Sequence, residues 1–220
     1  MISFPIRLCR KIFKYKLHRK YHGNVFIKNC DGYFFCGDSF ISSRIVTTSS
    51  ERLLRNYFEI EKGDFIDIGA HIGKYTIPMA KKLIGKGKVV AIEPASFNFD
   101  LLTKNVILNN LDNVILQSVA CSDQEGIMPL FIHKDSPTLN SFYINQNSDR
   151  VYVKTVTLDS LIQKHNIQRV ELIKIDVEAA EVDVLNGARD VLKNFHPKLI
   201  FEAYDRNTLQ AIVEILQPFG

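Results

Sequence analysis

The sequence predicts an α/β fold, a doubly wound and mostly parallel sheet, on three observations. Four short segments, DFIDI (64–68), KVVAI (88–92), ELIKI (171–175) and KLIFE (198–202), are apolar almost throughout rather than alternating. Strands read this way when helices cover both faces of a sheet. Segments with helical spacing separate them, the rhythm of strand–helix–strand units. Where the first strand ends, Asp67, Gly69 and Gly73 mark a tight turn into a helix, at the carboxyl edge where such sheets meet their ligands.

Taken in order, the chain divides into a basic N-terminal extension, residues 1–48, and a main domain, residues 49–220. Residues 1–28 hold eight of the 28 Lys and Arg and none of the 24 acids, so the net charge of +4 resides in this segment and the remainder is acidic by four. Ile2, Phe4, Ile6, Leu8, Ile12, Phe13 and Leu17 interleave with those cations, the pattern of a cationic amphipathic helix able to lie on an anionic membrane or a polyanion. NVFIKNCDGYFFCGDSF then alternates strand formers around Asp31-Gly32, a dipeptide suited to a tight hairpin turn. A short helix is expected from about Ser50 to Phe58, capped by Ser49 or Ser50.

From Asp64 onward strands and helices alternate: DFIDIGA, then GKYTIPMAKKLIG, KVVAIEP, SFNFDLLTKNVILNN and NVILQSVA. Pro78 is tolerated because the first turn of a helix leaves its N–H groups without intrahelical partners. Between residues 121 and 157 the rhythm breaks: IMPLFIHKD and VYVKTVTL read as strands flanking a polar loop, Lys134 to Asp149, long enough to select a ligand. Helix LDSLIQKHN, strand RVELIKIDVE, helix AAEVDVLNGARDVLKNF, strand PKLIFEAY and helix RNTLQAIVEILQPFG complete the chain. With nothing after LQPFG, the sheet is expected to stop at about five strands, its truncated C-terminal edge covered by the N-terminal β element or by a second subunit.

Composition narrows the function classes. A hydrophobic content of 46% with 24% charged residues is that of an ordinary globular domain. No stretch approaches the roughly 20 apolar residues of a membrane span, and the N-terminus lacks the pattern of a secretory signal, so a cytoplasmic protein is expected. Cys9, Cys30, Cys36 and Cys121 form no CxxC pair and read as free thiols. His18 and His22 are spaced to share a helix face, yet no carboxylate or cysteine nearby completes a metal shell, and no resident metal is expected.

Two nucleotide-containing ligands use turns like the one at Asp67. Dinucleotide folds carry G-x-G-x-x-G, whose middle glycine admits the pyrophosphate. Here His71 stands in that place, and Asp67 would repel a phosphate while favouring an ammonium group. Glu93 ends the second strand, where a carboxylate accepts hydrogen bonds from both hydroxyls of a ribose. Pro94 and Phe97 offer an apolar edge to an adenine, with residues 118–123 (including Ala120, Ser122 and Asp123) on its other side. These features suit S-adenosylmethionine, which has an amino-acid end, a sulfonium and no phosphate. A further group, Lys174, Asp176 and Glu178, closes the apolar strand of LIKIDVEAAE, and charges there need a partner or a purpose.

DFIDIGAHIGKYT, VVAIEPASFNFDLLTKNVILNN, VACSDQEG, VKTVTLDSLI and LIKIDVEAAEVDVLNGA, in this order and spacing over residues 49–219, resemble the FkbM family of S-adenosylmethionine-dependent methyltransferases, of the class I Rossmann-like fold. The resemblance implies O-methylation of hydroxyls on sugars, glycolipids or polyketide-like products. By motif match, Asp67, Gly69 and Gly73, with Ala70 and His71 between them, surround the methionine end of the cofactor. Glu93 and Pro94 take the ribose side, and Ala120, Ser122 and Asp123 the adenine side. Asp176 and Glu178, with Lys174, face the methyl group and the acceptor. Two departures stand out: the family commonly has Gly after DVE, where this chain has Ala179, and class I methyltransferases normally continue into a terminal antiparallel β-hairpin where this sequence stops at LQPFG, which is why a truncated edge is expected.

Methyl transfer to a hydroxyl is an in-line displacement, so the protein aligns the acceptor and removes its proton. Asp176 or Glu178 is the expected base, with His133 in reserve; a divalent ion held by Asp176, Glu178 and Glu202 is the alternative way of acidifying the hydroxyl. The expected partner is a small-molecule or glycan hydroxyl, with peripheral membrane contact through the basic segment and a homodimer as further expectations. RNA methylation is the competing reading, disfavoured because positive charge is confined to residues 1–28. A cofactor-binding scaffold without turnover is the non-enzymatic alternative.

Overall fold

The computed structural model describes residues 26–28, 31–36, 58–133, 148–203 and 205–219. The expected basic helix, the helix beginning at Ser50 and most of the polar loop lie outside the described residues. Strands β1 (Phe26–Lys28) and β2 (Tyr33–Phe35) precede β3 (Asp64–Ile68), α1 (Thr76–Lys82), β4 (Val89–Ile92), α2 (Ser96–Leu108) and β5 (Val114–Gln117). There follow β6 (Ala120–Cys121), β7 (Gly126–His133), β8 (Ser148–Val156), α3 (Leu158–Lys164), β9 (Val170–Ile175), α4 (Glu181–Asn186), α5 (Arg189–Phe195), β10 (Lys198–Phe201) and α6 (Arg206–Leu216).

The main sheet has five parallel strands in the order β10-β9-β3-β4-β5. Its strand direction of travel reverses between β3 and β9: β4 and β5 extend the sheet one way, β9 and β10 the other. That reversal marks the carboxyl ends of β3 and β9 as the edge where sheets of this kind meet their ligands. Alternate side chains of each strand serve opposite faces. Phe65, Val89, Ala91 and Leu172 pack with Ile77, Met79 and Ala80 of α1 and Leu101, Leu102 and Val106 of α2. Ile66, Ile68, Val90, Ile92, Ile173 and Ile175 pack with α3, α4, α5 and Ile212 of α6. Burying each of these aliphatic or aromatic side chains contributes about 1.5–3 kcal/mol, which explains the unbroken apolar character of the strands. Pro78 sits in the first turn of α1, as its missing N–H requires.

Four expectations need correction. The hairpin pairs Lys28 with Tyr33, so residues 29–32 connect the strands in place of a two-residue Asp31-Gly32 turn. It does not cover the β10 edge. It packs on α2, where Asn109 Oδ1 accepts from Tyr33 N and Asn109 Nδ2 donates to Tyr33 O, and Asn105 makes the same pair of bonds with Phe35. The strand NVILQSVA is two: β5 stays in the main sheet, and β6 joins β8 and β7 in a separate three-stranded sheet. The helix AAEVDVLNGARDVLKNF breaks at Gly187-Ala188 into α4 and α5. A Cβ on Gly187 would lie 2.0 Å from the Ser122 carbonyl oxygen, and Asp159 caps the new helix by accepting from Asp190 N and Val191 N at 3.1 and 2.9 Å.

Candidate active site

Asp67 and Lys174 are lateral partners in the pairing of β3 with β9, so their side chains project side by side from the same face. Both are buried, Asp67 completely. The Lys174 ammonium lies 3.3 Å from Asp67 Oδ1 and 3.3 Å from Asp176 Oδ2, and donates to the Gly69 carbonyl at 2.7 Å. Its remaining side faces the ring of Tyr75, 5.5 Å from the centroid, and Tyr75 in turn stacks on Phe58. Thr76 Oγ1 donates to Asp67 Oδ2 at 2.6 Å. Burial alone would lower the Lys174 pKa; the two aspartates outweigh it and hold the ammonium above its ordinary value. Lys174, expected to face the acceptor, thus clamps the two strand ends together.

The turn after β3 is built for close approach. Gly69 has φ +77, and a Cβ there would stand 1.9 Å from the Asp176 carbonyl oxygen, so only glycine lets β3 and β9 meet at this point. Its N–H and that of Ala70 both donate to Ile92 O, which draws the turn over the end of β4. There Glu93 is almost fully buried and receives three hydrogen bonds: from His71 N (2.9 Å), Ala95 N (3.1 Å) and Asn98 Nδ2 (3.3 Å). Burial pushes its carboxyl up to about 6 despite these donors. His71 itself adopts a left-handed backbone with φ +51.

Beyond β9 the chain makes a second unusual turn. Glu178 and Ala179 both have positive φ, +54 and +79, conformations that L residues with a Cβ rarely adopt. The position after DVE, where the resemblance has Gly, is therefore left-handed in this chain, with alanine carrying the strain. Glu178 is half-buried, and burial together with Asp176, Glu202 and Glu181 pushes its carboxyl up to about 7. Glu181, at the start of α4, is buried and raised in pKa by that burial, and its Oε1 accepts from Val177 N.

The remaining expected residues fall elsewhere around the edge. Pro94 follows Glu93 and is partly covered. Ala120 and Ser122 are buried; the Ser122 carbonyl packs on Gly187, and Asp123 is electrostatically coupled to Asp183 of α4. This segment therefore meets the α4–α5 junction, and no hydrogen bond joins it to Glu93 among the described residues. Asp176, Glu178 and Glu202 do not assemble into a metal-holding cluster; no group of three His, Cys, Asp or Glu among the described residues does so. The sequence reading missed Thr76, Asn98 and Tyr75. The signal for the first two is the offset from each acid, Thr76 one helix start beyond Asp67 and Asn98 one turn into the helix beyond Glu93.

The donor set fits a phosphate-free nucleoside with an amino-acid end. Glu93 keeps one lone-pair site, on Oε2, for a ribose hydroxyl, and the ammonium nearest the glycine turn, Lys174, is already committed to two carboxylates. The sheet order and the acid–glycine turn define a class I, Rossmann-like methyltransferase fold. In that fold the chain resembles the precorrin-6y C5,15-methyltransferase of Geobacter metallireducens, at 13% identity, with a TM-score of 0.51 over 80% of this chain and 74% of that one. Residues 67–219 match the Methyltransferase FkbM domain, and the chain belongs to this family of S-adenosylmethionine-dependent methyltransferases. It is 24% identical over 199 residues to the 31-O-demethyl-FK506 methyltransferase FkbM of Streptomyces tacrolimicus, covering 76% of each chain. It is 27% identical over 138 residues to the hexuronic acid methyltransferase AglP of Haloferax volcanii, covering 62% of this chain and 54% of that one.

Proposed function

We propose that the chain is an O-methyltransferase acting on a hydroxyl of a sugar, a glycolipid or a similarly small polar acceptor. The observation that carries this reading is the Glu178 carboxyl, half-buried beside Asp176 at the carboxyl edge of the sheet and pushed up to about 7, a value suited to taking a hydroxyl proton near neutrality. The names of the FkbM and hexuronic acid methyltransferase relatives support oxygen as the methylated atom and a natural product or sugar as the acceptor.

When bound, S-adenosylmethionine supplies an electrophilic methyl group on a sulfonium. The chain's own residues do the rest. Glu93 and the partly covered Pro94 hold the ribose side, and the turn of Asp67, Gly69, Ala70, His71 and Gly73 receives the amino-acid end. Lys174 fixes the two aspartates, and Glu178 accepts the proton of the acceptor hydroxyl while Asp176 offsets the positive charge of the cofactor. On this reading the protein works in the cytoplasm, its basic residues 1–28 giving peripheral contact with anionic membranes, and a homodimer covers the β10 edge.

The test begins with calorimetric titration of S-adenosylmethionine, S-adenosylhomocysteine and NAD into wild type and Glu93→Ala. Binding of the first two alone, weakened by the substitution, is expected. Transfer of labelled methyl groups is then measured on panels of sugars, glycolipids, polyketides and RNA. Transfer to RNA alone, or cofactor binding with no transfer to any panel, would overturn the proposal.

A further inference from the structure

The turn that presents Glu178 is strained at two successive residues, since Glu178 and Ala179 both carry a Cβ and both have positive φ, +54 and +79. L residues adopt that region reluctantly, and a pair of them persists only where the surroundings hold the backbone from both ends. The sheet holds one end, where Asp176 N donates to Ile68 O at 3.1 Å. At the other end α4 starts after Ala180, whose methyl group cannot cap a helix. The Glu181 carboxyl takes that part by reaching backward over the turn. Its Oε1 accepts from Val177 N at 3.4 Å, and the backbone of Glu181 itself and of Ala179 also favours its charged form. The residue is only 2% exposed, and Oε2 is buried with no hydrogen-bond partner among the described residues. This carboxyl therefore works on the backbone around it, out of contact with solvent.

We propose that Glu181 is a positioning residue, whose buried carboxyl pins the 177–181 turn in its left-handed form and so keeps the Glu178 carboxyl in its half-buried place beside Asp176. The inference rests on the reading of Glu178 as the base. The groups facing Glu178 are Asp176, Glu202, Glu181 and Lys174, three carboxyls against one ammonium. A turn relaxed toward ordinary backbone angles would carry Glu178 away from them and into water, and with them would go the environment that suits it to take a proton. Strain is the reason a pin is needed at this turn, and the missing cap on Ala180 is the reason it comes from Glu181.

The experiment follows Glu178 directly, by NMR pH titration of protein carrying 13C in its glutamate carboxyl groups, the resonance being assigned by its loss in Glu178→Gln. Wild type is compared with Glu181→Gln, with Glu181→Ala, and with Glu181→Ala combined with Ala179→Gly; S-adenosylhomocysteine is titrated calorimetrically into each as a check on the folded cleft. In wild type Glu178 is expected at about 7. Glu181→Gln keeps an oxygen for Val177 N and should leave most of that rise in place. Glu181→Ala should bring Glu178 down toward the ordinary carboxylate range, and the added Ala179→Gly, by relieving the strain, should restore part of the rise. Exchange of the Val177 N–H should quicken about 10-fold or more in Glu181→Ala and not in Glu181→Gln. S-adenosylhomocysteine affinity should hold throughout. A Glu178 that stays at about 7 in Glu181→Ala, or that falls equally far in Glu181→Gln, would overturn the positioning role and leave the base assignment standing. Loss of S-adenosylhomocysteine binding in Glu181→Gln would overturn it as well, by showing a general need of the fold for this carboxylate. A wild-type Glu178 titrating near 4.5 would instead remove the base assignment, and this inference with it.

Discussion

Replacing Lys174 by Met keeps an unbranched side chain of similar length and deletes the ammonium that stands 3.3 Å from Asp67 Oδ1 and 3.3 Å from Asp176 Oδ2. At that separation, and an effective dielectric of about 20, each contact is worth about 5 kcal/mol of Coulomb energy before desolvation is subtracted. Most of that gain offsets the desolvation of three charges, so the pair as a whole adds little net stability. The substitution acts differently, because it strands the fully buried Asp67 carboxylate with no cation among the described residues in contact with it. Removing one partner of a buried pair costs about 3–5 kcal/mol. Asp67→Asn should cost less, since an amide oxygen still accepts from Thr76, and the double variant should recover at least about 1 kcal/mol relative to the sum of the single losses. The assay is urea unfolding followed by circular dichroism, with the midpoint shift read at constant slope. If the two single losses simply add within about 0.5 kcal/mol, Lys174 and Asp67 are not energetically coupled and the clamp as described is wrong.

Ala179→Gly relieves a φ of +79 worth about 1–2 kcal/mol and gives back about 0.4–1 kcal/mol through the more flexible unfolded chain, so the variant should melt a few degrees higher by calorimetry; a lower melting temperature would refute the strain. Glu93 carries a carboxyl raised from 4.5 to about 6, so its contribution to stability is present below about 4.5 and lost as pH rises through about 6. Cofactor affinity should run the other way, weakening as Glu93 protonates below about 6, and in Glu93→Gln both slopes should disappear from the denaturation and calorimetric pH profiles. With Glu178 as the base, kcat/KM for the cofactor should rise with pH through about 7, and a Glu178→Gln variant should lose that limb along with most of its rate. Asn105 joins Ile72 O at 2.8 Å to Phe35 O at 3.2 Å, and Asn105→Ala should cost about 1–3 kcal/mol while speeding hydrogen exchange at Phe34 and Phe35 more than at β3.

Much of this molecule is legible in one dimension because its signals are local. The four apolar strand segments, the acid and glycines of the first turn, and Glu93 closing the second strand each lie within a few residues of one another, and their chemistry follows from residue type. The DVEAAE segment is legible too, except that the left-handed backbone of Ala179 is read only from the structure. What misled the reading was context. Nothing within AAEVDVLNGARDVLKNF forbids one continuous helix; the break at Gly187 comes from the Ser122 carbonyl pressed against it by a different part of the chain. The hairpin at Tyr33–Phe35 finds its place through Asn105 and Asn109, two amides on α2 that local propensity treats as ordinary helix residues.

Sequence alone therefore determined the class of fold and the gathering of Asp67, Glu93, Lys174 and Asp176 at the carboxyl edge of its sheet, because burial pattern and turn chemistry are written in short stretches. Only the tertiary structure decided how those residues divide the work. The register of β3 against β9 places Lys174 beside Asp67 and makes a clamp of a side chain that reads as a catalytic candidate. The same convergence of strand ends encloses the His71 ring and raises the Glu93 and Glu178 carboxyls, because burial and charge proximity depend on distances between segments far apart in the chain.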